Sequence, residues 1–125
     1  MSLTPHRIRF APNLPASVWA WPPHMPSKRR VAFKLKNRST KTLRPVTVSI
    51  TYLDSEGTPI ATDRQKDDDH LDAGDVRQIV FRVPNNKAIR GAQISIEAHR
   101  DRSIELELIM AAAALVFGLL QYFLS

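Results

Sequence analysis

The chain has 125 residues, no cysteine, nine prolines and a formal net charge of +6. The missing cysteines exclude disulfides, thiolate metal centres and cysteine nucleophiles, and a mean hydropathy of −0.24 excludes a chain that is mostly membrane. What fits is one small domain and a short segment of different character.

Six of the nine prolines fall within residues 1–27: Pro5, Pro12, Pro15, Pro22, Pro23 and Pro26. Proline is excluded from helix interiors and cannot donate to a sheet ladder, so residues 1–27 read as an extended arm. The arm carries Val18, Trp19 and Trp21, more apolar surface than a solvated linker needs. Trp19 and Trp21 are its candidate anchors, either at a membrane interface or in a groove on a partner. The alternative is that they fold back onto the arm's own domain. No apolar run follows the early arginines, so the arm does not read as a signal peptide.

Charge is segregated along the chain. Residues 1–53 hold ten Lys or Arg and no acid, whereas all twelve acids lie between Asp54 and Glu107. An acid-free basic stretch is drawn to anionic lipid, at ~1 kcal/mol per basic group near the surface. Nucleic acid is disfavoured as a partner, because no helix-turn-helix, zinc or RNA-recognition signature accompanies the charge.

From residue 28 to 102 the pattern has period two. Val31, Phe33 and Leu35 alternate with lysines; Val46, Val48, Ile50 and Tyr52 alternate with Ser and Thr; Ile79, Phe81 and Val83 follow, then Ala92, Ile94, Ile96 and Ala98. Each series places its apolar members on one face of a strand. Turn signals separate the series at 37–42, 54–57, 73–75 and 84–86, with Gly91 before the last strand. Short half-buried strands with no helical period between them predict a small antiparallel sandwich.

The run FKLKNRSTKTLRPVTVSITYLDSEGTPIATD, followed by LDAGDVRQIVFRV, resembles the FxLYD-type and related immunoglobulin-like domains. Asp54 and Gly57 match the turn of that pattern, and Ala73-Gly74-Asp75 its later glycine-centred turn; Ile50, Tyr52 and Leu53 replace the Phe, Leu and Tyr of the name motif. The resemblance covers residues 30–100 and implies an immunoglobulin-like sandwich. It implies no activity.

No catalytic constellation is visible. His6, His24, His70 and His99 are scattered, and none shares strand or helix spacing with a second ligand type. The acidic group Asp67, Asp68, Asp69, Asp72 and Asp75 lacks the glycine and carboxylate offsets of a calcium loop and reads as a solvated charged loop. Ser39, Thr40 and Ser55 have no partner base, and the four glycines form no phosphate loop. The expectation is a protein that is not an enzyme and binds no metal or cofactor.

Residues 108–124 carry no charge. As a helix at ~1.5 Å per residue they reach ~25 Å, enough for a thin hydrocarbon core, so residues 104–124 read as a single transmembrane helix. At 100° per residue Ala111, Ala114, Gly118 and Gln121 share one stripe, with Val116, Phe117, Leu120 and Leu124 opposite. Small residues permit close helix approach in lipid and Gln121 can hydrogen-bond, so the stripe is the expected helix-docking face.

Together these features predict a tail-anchored, single-pass membrane protein with its head on the cytoplasmic side or the equivalent face of an organelle. The expected role is an accessory subunit of a larger membrane complex, contacting integral membrane subunits through head, arm and helix. The alternative is a free-standing adaptor that captures peptides by sheet-edge addition.

Overall fold

The computed structural model describes residues 3–101. After a single turn of 3-10 helix, Pro5–Arg7, the chain forms eight strands: β1 (Ile8–Phe10), β2 (Val18–Ala20), β3 (His24–Ser27), β4 (Arg30–Asn37), β5 (Leu43–Leu53), β6 (Pro59–Asp67), β7 (Val76–Arg82) and β8 (Gly91–Arg100). The fold is all-β. One sheet runs β1-β8-β5-β6; in the other, β4 pairs with β7 along one edge and with β2 and β3 along the opposite edge.

The period-two series point where the alternation requires. Val31, Phe33 and Leu35 of β4, Ile79 and Phe81 of β7, Val46, Val48, Ile50 and Tyr52 of β5, and Ile94 and Ile96 of β8 close on a single core between the sheets. Each such side chain contributes about 1.5–3 kcal/mol on burial. Phe10 of β1 meets Phe33 edge-on across the sheets, with ring centroids 5.2 Å apart.

The expected boundary between a separate arm at 1–27 and a sandwich at 28–102 is corrected. Residues 8–27 are extended, but they supply β1, β2 and β3 to the two sheets. All three are short because prolines bound or interrupt them, and all three lie at sheet edges, where a missing N–H leaves no ladder gap. Pro26 falls where the β3–β4 register shifts, between His24 and Ser27. β1 also runs parallel to β8, so the sheets are not wholly antiparallel.

The turn chemistry follows the sequence. At 54–58 the Asp54 carboxylate accepts the N–H of Glu56 and of Thr58, each at 2.9 Å. Gly57 takes the positive φ of 79° that closes this turn. Gly74, at φ 84°, donates its N–H to the Asn37 carbonyl at 2.8 Å and ties the β6–β7 loop to the end of β4.

Tyr52 is buried, with its hydroxyl donating to the Arg82 carbonyl at 3.4 Å. Burial, and then the Asp63 carboxylate, push this hydroxyl up to about 12. An unfolded tyrosine ionises near pH 10, so the folded protein keeps a proton that the unfolded chain has lost. Stability present below about pH 10 should therefore fall by on the order of 2 kcal/mol as the pH rises toward 12. Urea midpoints across that window should show the loss, and Tyr52→Phe should flatten it.

No helix among the described residues is long and apolar enough to cross a membrane. The expected span at 104–124, with Ala111, Ala114, Gly118 and Gln121, lies outside the described residues.

Candidate functional site

Of the two expected arm anchors, neither enters the core. Val18 of β2 points inward and is buried, while Trp19 and Trp21 are 52% and 39% exposed. β2 puts them there by alternation: Trp19 lies opposite Lys36, Ala20 opposite Leu35, and the Trp21 N–H donates to the Lys34 carbonyl at 2.9 Å. The indoles thus stand on the outer face of the β2-β3-β4-β7 sheet.

β4 carries that face across to β7. Lys36 pairs with Val76, Lys34 with Gln78 and Ala32 with Val80. Val76 and Val80 are 51% and 41% exposed, and with the two tryptophans they are the large apolar residues that the domain leaves in water. Isolated exposed valines need no explanation, but here two indoles and two valines share one sheet face, on either side of the β4 row that carries Lys34 and Lys36. Its charged members along β4 are Arg30, Lys34 and Lys36. No carboxylate stands on the outward positions of β2, β4 or β7.

Sequence reasoning found Trp19 and Trp21 and missed Val76 and Val80. A signal exists in the run Ile79-Val80-Phe81: three consecutive apolar residues in a strand must put at least one on the solvent side. Which other residues join that one depends on pairing with β4, which local sequence does not reveal.

The polar candidates are dispersed. His70 Nε2 lies 2.8 Å from an Asp101 carboxylate oxygen, Arg77 pairs with Asp67 at 2.8 Å, and Thr42 donates to Asp72 at 3.1 Å. His6 lies before β1 and His24 opens β3. Among the described residues no three His, Asp or Glu side chains gather as metal ligands would. Ser39 Oγ, at 2.6 Å from Asn37 Oδ1 and 3.0 Å from the Lys41 carbonyl, closes a loop and has no neighbouring base.

No family model matches the sequence, and no curated protein does. Two solved structures are similar. The crystal structure of cj0090 from Campylobacter jejuni is 18% identical, with 74% of this chain and 97% of that one covered and a TM-score of 0.45. A provisionally named beta-galactosidase from Bacteroides fragilis is 15% identical, with 66% of this chain and 15% of that one covered and a TM-score of 0.29.

Proposed function

We propose that the protein is a non-catalytic accessory subunit of a membrane protein complex, in which an immunoglobulin-like head docks a partner subunit through the outer face of the β2-β3-β4-β7 sheet. The observation that carries this reading is the exposure of Trp19, Trp21, Val76 and Val80 on that one face. Tryptophan in particular dominates interface energetics when a partner covers it. The uncharged run at 108–124 supplies the anchor, with Ala111, Ala114, Gly118 and Gln121 toward a partner helix. The head lies on the cytoplasmic side. Arg38, Lys41 and Arg44, exposed at the end of the sandwich where the chain continues past Asp101, add an attraction to anionic lipid headgroups.

Sheet-edge addition is the weaker reading. At the β6 edge Asp63, Gln65 and Asp67 lie opposite the inward residues Ile50, Val48 and Val46 of β5. Gln65 Nε2 reaches across to the Val80 carbonyl at 2.6 Å, and Asp67 pairs with Arg77. Polar groups turned inward along an edge are a device that resists pairing with a further strand.

Detergent extraction and native electrophoresis test the proposal. The protein should co-migrate with a large assembly, and the double variant Trp19→Ser/Trp21→Ser should weaken that association by about 30-fold or more, near 2 kcal/mol. The thermal transition of the head should stay within a few degrees of the parent, because neither indole is in the core. A native-size assembly that retains the double variant undiminished would remove this face from the reading.

A further inference from the structure

The two ends of the sandwich are charged differently. At the end bearing the β4–β5 and β6–β7 loops, carboxylates are interspersed among the basic groups, which include the exposed Arg38, Lys41 and Arg44: Asp67 pairs with Arg77, Asp101 lies 2.8 Å from His70, and Asp68 lies 3.9 Å from Lys66. The opposite end is built from the β3–β4, β5–β6 and β7–β8 loops and the turn before β1. It carries two adjoining clefts that share Arg90.

The first cleft, about 550 Å³, is lined by Lys28, Arg29, Lys87 and Arg90 together with the amides of Asn85 and Asn86, and by no carboxylate. Leu3, Val83 and Ile89, all buried, form its apolar floor. The second cleft, about 570 Å³, adds His6, Arg7 and Arg9; its one carboxylate, Asp54, is already engaged with the N–H groups of Glu56 and Thr58. The β7–β8 loop that separates the clefts is braced internally. Ala88 donates its N–H to Asn86 Oδ1 at 2.9 Å, and the Arg90 guanidinium donates to the carbonyls of Lys87 and Ile89.

We infer that this end of the head binds an acidic peptide segment of a partner protein. A run of cations across two joined clefts suits an extended polyanion better than a single bound ion, and side-chain amides beside an apolar floor suit a peptide backbone and its aliphatic side chains. A nucleic acid strand is disfavoured because neither cleft is lined by Phe, Tyr or Trp, the broad rings on which successive bases stack. The bilayer is disfavoured by direction. The chain passes Asp101 toward its apolar run at the far end of β8, ten residues from Gly91, about 33 Å away and several Debye lengths at physiological salt. That last step rests on the membrane reading above; peptide binding itself does not, and it is measured separately from co-migration with an assembly.

The test is fluorescence anisotropy of a labelled deca-glutamate peptide with the full chain in nonionic detergent micelles. Saturable binding is expected, weakening by about tenfold or more in Lys28→Glu/Lys87→Glu, while Arg64→Glu/Lys66→Glu, the same change of charge at exposed positions of β6 outside both clefts, stays within about twofold. Absence of saturable binding, or equal loss in the two double variants, overturns the inference. So does decathymidylate, or a phosphatidylserine vesicle, binding as tightly with the same dependence on Lys28 and Lys87.

Discussion

Phe33→Ala is expected to cost about 3 to 5 kcal/mol, enough to leave much of the population unfolded at ambient temperature. Phe33 is buried to 0% exposure at the middle of β4, the strand that holds β2, β3 and β7 together. Its ring meets Phe10 edge-on, so truncation removes an aromatic contact between the sheets as well as a large apolar volume. Close-packed sheets cannot collapse into a hole of that size without moving strands, so a cavity term adds to the lost transfer energy. Gln78→Ala is the matched control: its side chain lies on the outer face of β7, one register row away, and should change stability by no more than about 0.5 kcal/mol. Urea denaturation read by circular dichroism separates the two, and a Phe33→Ala midpoint close to that of Gln78→Ala would mean that β4 does not face the core as described.

Burial also decides which strands are legible in the sequence. β4, β5, β7 and β8 are central or well-buried strands with alternation sustained over several residues, and their apolar sets name the core correctly. β6 is nine residues long yet shows no such alternation, because the core thins at the sheet edge and its core-side positions after Ala61 are Asp63, Gln65 and Asp67. β1, β2 and β3 hold three or four residues each. No period can be read from so few, and the prolines around them signal an arm as well as they signal edge strands. Parallel pairing of β1 with β8 is set by contacts far apart in sequence and leaves no local trace.

The proposed docking face is half legible for a related reason. An exposed tryptophan is conspicuous in any sequence with few aromatic residues, and Trp19 and Trp21 are found that way. Val76 and Val80 resemble core valines until β4 is known to separate them from β2. The basic loop end is less legible still. Lys28, Arg29, Lys87 and Arg90 fall on opposite sides of the sequence's apparent charge boundary at residue 53, so the division into a basic and an acidic half conceals the cluster that folding creates.

Asn37→Asp, which alters one side-chain group and almost no volume, is expected to cost about 3 to 5 kcal/mol at neutral pH. Asn37 ends β4 with 0% exposure, and its side chain is hydrogen-bonded on both sides. Nδ2 donates to the carbonyls of Lys41 at 2.7 Å and Leu71 at 2.8 Å, while Oδ1 accepts the N–H of Ser39 at 2.9 Å and its hydroxyl at 2.6 Å. Its main chain adds a bond from its N–H to the Asp75 carbonyl and one from the Gly74 N–H to its own carbonyl. One residue therefore joins the β4–β5 loop to the β6–β7 loop. A carboxylate in its place would keep the bonds from Ser39 but turn a charged, buried oxygen toward two carbonyl oxygens. The substituted carboxyl should stay protonated well above the usual carboxylate range, because only its neutral form can donate to one of those carbonyls. Its folded-state value would then exceed its unfolded one, so the unfolded chain releases the proton first and stability falls as the pH rises between the two values. Asn37→Asp should accordingly be least destabilised near pH 4 and most destabilised near neutrality, whereas Asn37→Ala, costing about 3 kcal/mol for its lost hydrogen bonds, should show no such slope. Urea melts of both variants at the two pH values decide the matter: parallel losses would mean that the Asn37 amide is not the donor to Lys41 and Leu71 on which the joining of these loops depends.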